Sequence, residues 1–504
     1  MTPSWRYAAI LVAVAIVSRL PQLTSPHLLL DGDEAILGLM ARHLADGREV
    51  PIFFYGQAYG LSFFEAAAGA AAFRLTGFGD VQLKLAMLAI WLVGVIAMFV
   101  ALARVLGPRR SFWATLVFVL LPAWAVWSMK ARGGYLTAFS ATALLWCVLG
   151  RLRERPRTSF WFLAGCLTAL IFLAQRLWLP GVLPIVVWLL GSQRRVRFGL
   201  SYAAGVSAVI VLILGLSNIA VASLIEAPRG RNADLLGSLP GYLAQIHTHL
   251  TGFYYLWTTL VPGPLTALVA WLWSALLAAA LVVQAWRLAS RHFLAISHVL
   301  CVSVLSTLVA TWVLVSAPEP RFLLPLGAPL VAWVAVEAAA LAPRLGVPDW
   351  ARAATLGSVI AVGALSQVEF HDYAYLWNRP DDGVNEKARL QRAIDYLQGH
   401  AVRRVFSTNG LLQWQLMFYS GEAIVARYTS GSDRYPRYVA EVDRALEAGE
   451  PVAVVGYARP MREIVRAAGE HEAVAIDDRY FVLLRADRER LTSLGFRFNL
   501  DHRP

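Results

Sequence analysis

Long apolar runs separated by short polar segments set the rhythm of this chain. Runs at roughly 7–24, 81–103, 111–128, 135–150, 160–174, 177–191, 199–223, 264–286, 293–315, 321–341 and 352–367 each predict a hydrophobic helix. A helix needs about 20 such residues to cross a bilayer, and the pattern predicts eleven crossings. The 160–191 stretch reads either as two short helices meeting at Gln175-Arg176 or as one broken hairpin with Pro180 and Pro184 in its second arm. Two longer segments, about 25–80 and 224–263, interrupt the runs. In the first, Ile36, Met40 and Leu44 recur in i,i+4 steps and predict a helix over 33–46. A second apolar helix follows at about 59–75, after Pro51 and Phe53-Phe54-Tyr55. Both read as interfacial helices near a membrane surface.

From about 368 the pattern changes. Charges become frequent and the apolar runs shorten. Strands are predicted at 402–407, 422–427, 451–456, 472–476 and 480–485, with helices at 410–419, 435–448 and 459–468. Such alternation defines a small α/β layer domain. Pro451-Val-Ala-Val-Val-Gly456 is its clearest buried strand, and the turn at Gly456 lacks the spacing of a dinucleotide loop. The expected architecture is a polytopic all-α membrane domain over 1–367 and an α/β extracytoplasmic domain over 368–504.

Composition supports the membrane reading. The chain is 58% hydrophobic and 15% charged, against roughly 25% charged for soluble proteins. Its net charge of +12 does not point to nucleic acid, because the basic clusters lie between apolar runs, where headgroups and topology explain them. Arg104, Arg109 and Arg110, then Arg151 to Arg157, then Arg194, Arg195 and Arg197, then Arg287 and Arg291, then Arg344 and Arg352 occupy alternate loops. These loops are expected to be cytoplasmic, which places the N-terminus inside and the C-terminal region outside. The first run, with Arg19 near its end, is expected to be retained as a helix. Cys147, Cys166 and Cys301 sit inside apolar runs and form neither a metal spacing nor a disulfide framework.

The candidate chemistry lies in Leu30-Asp31-Gly32-Asp33-Glu34-Ala35, where three carboxylates follow the first membrane helix. Asp31 and Glu34 have the spacing of a capping box for the 33–46 helix. That leaves Asp33 as the candidate general base for a hydroxyl or amine nucleophile, with Glu34 beside it in the catalytic set and Asp31 as a substrate-binding group. Asp31-x-Asp33 also has the spacing to hold a hard divalent cation, an arrangement left open but not favoured. A carboxylate base at a membrane surface suits a lipid phosphate leaving group. Basic residues on the outer side would hold that phosphate: Lys130, Arg132, Arg176 and Arg321, with Arg229 and Arg231 weaker candidates. Each has an ordinary alternative as an ion pair or a snorkelling side chain. Gln57 and Tyr59, in Gly56-Gln57-Ala58-Tyr59-Gly60, and Glu65 are candidate sugar-binding groups; a plain turn between two helices is the competing explanation. His247 and His249 read as surface or headgroup contacts.

On these residues the chain resembles the GT-C superfamily of membrane glycosyltransferases. It is most similar to the bacterial branch related to protein O-mannosyltransferases and lipid A aminoarabinose transferases. The resemblance rests on Asp33-Glu34-Ala35, Gly38-Leu39-Met40-Ala41-Arg42, Gly56-Gln57-Ala58-Tyr59-Gly60, Glu65 and the later Arg321-Phe-Leu-Leu-Pro325. It covers about 1–367. It implies an inverting transfer of a sugar from a polyprenyl-phosphate donor at the outer face of a bacterial inner membrane, with Asp33 at the catalytic acidic position and no metal needed to activate the leaving group. The acceptor, whether lipid, glycan or protein, is not specified, and no residue in the C-terminal domain identifies it. Two other functions fit a polytopic chain: a transporter or flippase of lipid-linked sugars, or a non-catalytic envelope assembly protein. A transporter predicts internal repeats and mid-helix ionisable groups. The assembly reading predicts that the first-loop carboxylates are only caps.

Overall fold

The computed structural model describes residues 5–217, 234–251, 263–292, 294–315, 319–370, 385–429, 434–458, 462, 473–477 and 479–498. The expectations for 218–223, for Arg229 and Arg231 and for most of the 459–468 helix fall outside these residues. Among the described residues, eight helices are long and apolar enough to cross a membrane: Trp5–Leu23, Asp80–Leu106, Tyr135–Glu154, Val196–Ser217, Pro264–Ala289, Ala295–Leu314, Pro320–Leu341 and Asp349–Phe370. A bent pair, Pro108–Val119 with Pro122–Met129, makes a ninth. The other two expected segments are the shorter apolar helices Thr158–Ala174 and Leu183–Gln193. A 3-10 turn over Arg176–Gly181 separates them, so the two-helix form of the 160–191 stretch is the one adopted.

The bend corrects the expectation of one straight helix over 111–128. The two halves meet at 65°. Pro122 lacks an N–H and crowds the preceding turn, and Leu121 before it is extended at φ −67°, ψ 124°. A broken helix leaves carbonyls without their usual donors, which is costly away from water. Arg19 answers two of them, donating to Val119 O at 2.8 Å and Trp124 O at 3.2 Å. Gln367 Nε2 donates to Leu120 O at 3.0 Å. The Arg19 guanidinium is fully buried and lies over the Trp91 ring. Trp91, Phe118, Trp124 and Phe139 stack around the break. The bend turns the chain so that residues 130–132 return to the acidic loop.

The C-terminal domain contains a five-stranded sheet in the order β2-β1-β3-β5-β4, made of β1 Arg404–Ser407, β2 Val425–Tyr428, β3 Val452–Tyr457, β4 Ala473–Ile476 and β5 Tyr480–Leu484. β2, β1 and β3 run parallel, with Val405 opposite both Ala426 and Ala453. β5 is antiparallel to β3 and to β4. Central β3 is the apolar run singled out in the sequence, buried from Val452 to Gly456. Helix Pro436–Glu447 buries Tyr438, Val439, Val442 and Ala445, one face at helical spacing. Helix Glu386–Gly399 was not anticipated. Its buried Leu390, Ala393, Ile394 and Leu397 have the helical period, and Asn385 caps it by accepting from Ala388 N at 3.0 Å.

The acidic helix runs Gly32–Ala45 and begins with the expected capping box. Expected near a membrane surface, this helix is covered by protein along most of its length. Ten consecutive residues from Gly32 to Ala41 are buried. One side packs on helix Phe63–Thr76, and another on helix Leu412–Tyr419 of the C-terminal domain. Two glycines permit this second contact. A Cβ at Gly32 would lie 2.7 Å from Leu411 Cα, and one at Gly38 would lie within 2.4 Å of the Phe418 ring. Phe418 is itself buried and cannot swing away. Gly38→Ala is therefore expected to destabilise the protein by about 1–3 kcal/mol through overpacking. Phe418→Leu should relieve much of that cost in the double variant, and a thermal double-mutant cycle on the solubilised chain measures the coupling. Additive costs would show that the close approach is not limiting.

Candidate active site

The acidic helix puts its three carboxylates into three different environments. Asp31 is the N-cap; its Oδ1 accepts from Glu34 N at 2.9 Å, and Glu34 Oε2 returns a 3.3 Å bond to Asp31 N. Glu34 is then saturated. Its Oε1 takes the Lys84 ammonium and, at 3.2 Å, the backbone N–H of Ala131, while Lys130 Nζ stands 3.5 Å from Oε2. With 1% of its side chain exposed, Glu34 anchors the loop and leaves no oxygen for a substrate. Asp33, from the same turn, is 12% exposed.

The cations arrive from three segments. Past the Pro122 bend, Lys130 Nζ lies 2.7 Å from Asp31 Oδ2. Arg132 lies 2.7 Å from Asp33 Oδ2 and 3.9 Å from Asp31 Oδ2. Lys84 comes from the first turns of helix Asp80–Leu106. From the C-terminal domain, Arg434 Nη1 sits 3.1 Å from Asp33 Oδ1, with its guanidinium over the Phe54 ring. Burial pushes the Asp31 carboxyl upward, but Lys130 and Arg132 outweigh it and hold Asp31 well below the usual carboxylate range. A carboxylate offers about four lone-pair positions, so Asp33, with one guanidinium on each oxygen, keeps acceptor capacity. Asp31 Oδ2 and both oxygens of Asp33 face these cations, while Asp31 Oδ1 accepts from Glu34 N.

The C-terminal domain touches the loop at further points. Tyr419 Oη accepts from Leu30 N at 2.9 Å and donates to Asp80 Oδ2 at 3.0 Å. Gln415 Nε2 donates to Leu30 O at 2.7 Å, and Lys387 reaches Asp80 at 2.6 Å. At the helix's other end, Glu422 Oε1 lies 2.9 Å from His43 Nε2 and accepts from Tyr438 Oη at 2.7 Å.

The other expected residues divide. Glu65 is fully buried and holds the start of helix Tyr135–Glu154. Its oxygens accept from Gly134 N, Leu136 N, Thr137 N and Thr137 Oγ1 at 3.1–3.3 Å. The three backbone N–H groups are donors that a helix N-terminus leaves open, so Glu65 anchors the start of that helix. Gly134 adopts φ +82°, and a Cβ there would lie 2.7 Å from Ala174 O, so the turn entering that helix needs glycine. Tyr59 is about half exposed, at 52%, within electrostatic reach of Arg176. Gln57 is half-buried in the turn over which Arg434 lies, where a Cβ on Gly56 would come within 2.7 Å of Arg434 Cα. Arg321 pairs with Glu319 at 2.8 Å. Burial raises the Glu319 carboxyl, and Arg321 and Arg132 both pull it back, so the pair lies within electrostatic reach of Arg132. His249 is fully buried next to Pro320 rather than at a surface.

Sequence reasoning missed Lys84, Asp80, Arg434, Glu422 and His43. Lys84 carried a signal: an ionisable group near the start of an apolar helix marks a site by default. Arg434 carried none, since nothing local distinguishes it from its neighbouring arginines.

No protein-family model matches the chain, and no curated protein does. Solved structures do. ArnT from Cupriavidus metallidurans in the apo state superposes with a TM-score of 0.62 at 15% identity, covering 98% of this chain and 100% of that one. The same protein bound to undecaprenyl phosphate gives 0.60 at 16% identity, over 96% and 99% of the two chains. An Archaeoglobus fulgidus oligosaccharyltransferase in complex with Zn and sulfate gives 0.50 at 12% identity, over 92% of this chain and 70% of that one. The chain thus has the fold of the two ArnT structures. The likeness to ArnT runs through both the membrane part and the C-terminal domain.

Glu422 gives the docking of that domain a pH dependence. Burial raises its carboxyl, but hydrogen bonds from His43 and Tyr438 and nearby Arg48 lower it to about 2. A depressed folded-state value stabilises above the unfolded value of about 4.3 and loses that effect as pH falls towards about 2. The shift corresponds to about 3 kcal/mol. Glu422→Gln should be less stable than the parent chain above pH ~4.5, and the difference should vanish near pH ~2. Denaturation across that range measures it, and a pH-independent difference would refute the assignment.

Proposed function

We propose that this chain is an inverting glycosyltransferase that moves a sugar from a polyprenyl-phosphate donor to an acceptor at the outer face of a bacterial inner membrane. The observation that carries the proposal is Asp33, a nearly buried carboxylate with remaining acceptor capacity, held between Arg132 and Arg434. The GT-C fold, and the undecaprenyl phosphate bound by ArnT, support this donor class.

In this reading the acceptor hydroxyl or amine gives its proton to Asp33 as its heteroatom attacks the anomeric carbon from the face opposite the phosphate. The bond from that carbon to the phosphate oxygen breaks, its electron pair stays with the phosphate, and the lipid phosphate departs. Arg132, Arg321 and Arg176 stabilise the charge that gathers there. Lys130 pairs with Asp31 and Glu34 and reaches the phosphate only by exchange of partners. Gln57 and Tyr59 face the sugar. Glu34, Asp31 and Glu65 hold the frame. The basic loops put the N-terminus in the cytoplasm and the C-terminal domain outside, and eleven crossings satisfy that topology.

Asp33→Asn removes the base while keeping shape and hydrogen bonds. Transfer from a radiolabelled polyprenyl-phosphate sugar, by the full chain in lipid nanodiscs, is expected to fall by about 10²–10⁴-fold with the melting temperature nearly unchanged. Undiminished transfer would leave the acidic loop as a helix cap alone.

A further inference from the structure

An apolar cavity opens at the far end of the helix that begins beside the carboxylates. Helix Asp80–Leu106 starts beside the carboxylates and ends at Leu106, which lines this cavity. Its 27 residues place Leu106 about 40 Å from the helix start, toward the opposite membrane face. The cavity measures about 460 Å³, within the range of small-molecule sites, roughly 300–1,000 Å³. Trp113, Trp273, Ala335 and Ala338 are among its lining residues, and Arg110 and Arg352 are its charged ones.

We propose that this cavity binds an acidic phospholipid, with an acyl chain among the apolar side chains and the headgroup phosphate on Arg110 and Arg352. Charge complementarity selects the occupant. Arg110 is exposed and has no ion pair among the described residues. Arg352 contacts the almost fully exposed Asp349 at 3.2 Å and donates to Ala342 O, while its Nε is buried without a hydrogen-bond partner in the described structure. Arg109 and Arg344 add positive charge at this face. The nearby acids do not cancel it, because Glu154 is paired with Arg104 and Glu337 with Arg287. A guanidinium suits phosphate oxygens, and the apolar lining suits a chain rather than a soluble anion. The distance from Asp33 separates this site from the donor phosphate of the proposed reaction, and the inference stands whether or not that reaction is correct.

The test is native mass spectrometry of the full chain after equilibration with phosphatidylglycerol or with phosphatidylcholine. One phosphatidylglycerol should be retained at least tenfold over phosphatidylcholine. Arg110→Gln and the Arg110→Gln/Arg352→Gln double variant should lower retention progressively. Ala335→Trp, which fills the cavity, should abolish it. Arg109→Gln, which removes the same charge outside the lining, should retain it. Melting temperatures exclude unfolding as the cause, and the Arg110 single variant remains informative if Arg352→Gln fails to fold. Equal retention of both lipids, indifference to Arg110→Gln and Ala335→Trp, or capture of polyprenyl phosphate in place of phosphatidylglycerol would each overturn the assignment.

Discussion

Burying Asp31, Asp33 and Glu34 beside a membrane is the constraint from which the architecture around the site follows. An isolated ionised carboxylate taken out of water is costly unless it is paired and hydrogen-bonded. One helix N-terminus cannot satisfy three of them. Its capping box uses Asp31 and Glu34 and still leaves oxygens that need cations. Lys84, Lys130, Arg132 and Arg434 come from three separate segments to supply them. Each segment has its own structural reason to be there: Lys84 begins a membrane helix, the Pro122 break folds 130–132 back, and Gly32 and Gly38 let the soluble domain approach. Buried ion pairs of this kind contribute little net stability, yet breaking one side of a pair costs 3–5 kcal/mol or so. The cluster thus specifies which surfaces meet more than how tightly they hold.

The sequence made the frame legible because its signals were local. Apolar runs marked the membrane helices, and periods of 3.6 and 2 marked the elements of the soluble domain. The Asp31–Glu34 spacing announced a capping box that is present. Charge alternation put the first loop and the C-terminal domain on one face, and their contacts through Tyr419, Gln415 and Arg434 show them there. The family-like motif in the first loop pointed to the fold found in ArnT.

What was not legible depends on partners distant in sequence. Ile36, Met40 and Leu44 described one apolar face, whereas the acidic helix is buried on several, and the second cover comes from residues near 411–418. Glu65 looked like a substrate ligand because it sits in a motif, but its oxygens face the backbone of residues 134–137. Lys130 looked like a phosphate ligand because basic residues outside a membrane ask for a reason. Its reason here is Asp31, 2.7 Å away. In both cases the residue belongs to the site, while its partner, visible only in three dimensions, sets its role.

Pairing also bears on the proposed chemistry. When Asp33 accepts a proton it loses its negative charge, and the departing phosphate gains one. Total charge in the site is unchanged, so the cations that compensated the base are released as the leaving group needs them. Arg132 suits such an exchange: it has five donors, is bonded to Asp33, and stands within the field of the Glu319–Arg321 pair. Arg434 differs, because the C-terminal domain carries it. Its ion pair with Asp33 therefore ties the surroundings of the proposed base to the position of that domain, which a helix cap alone would not do.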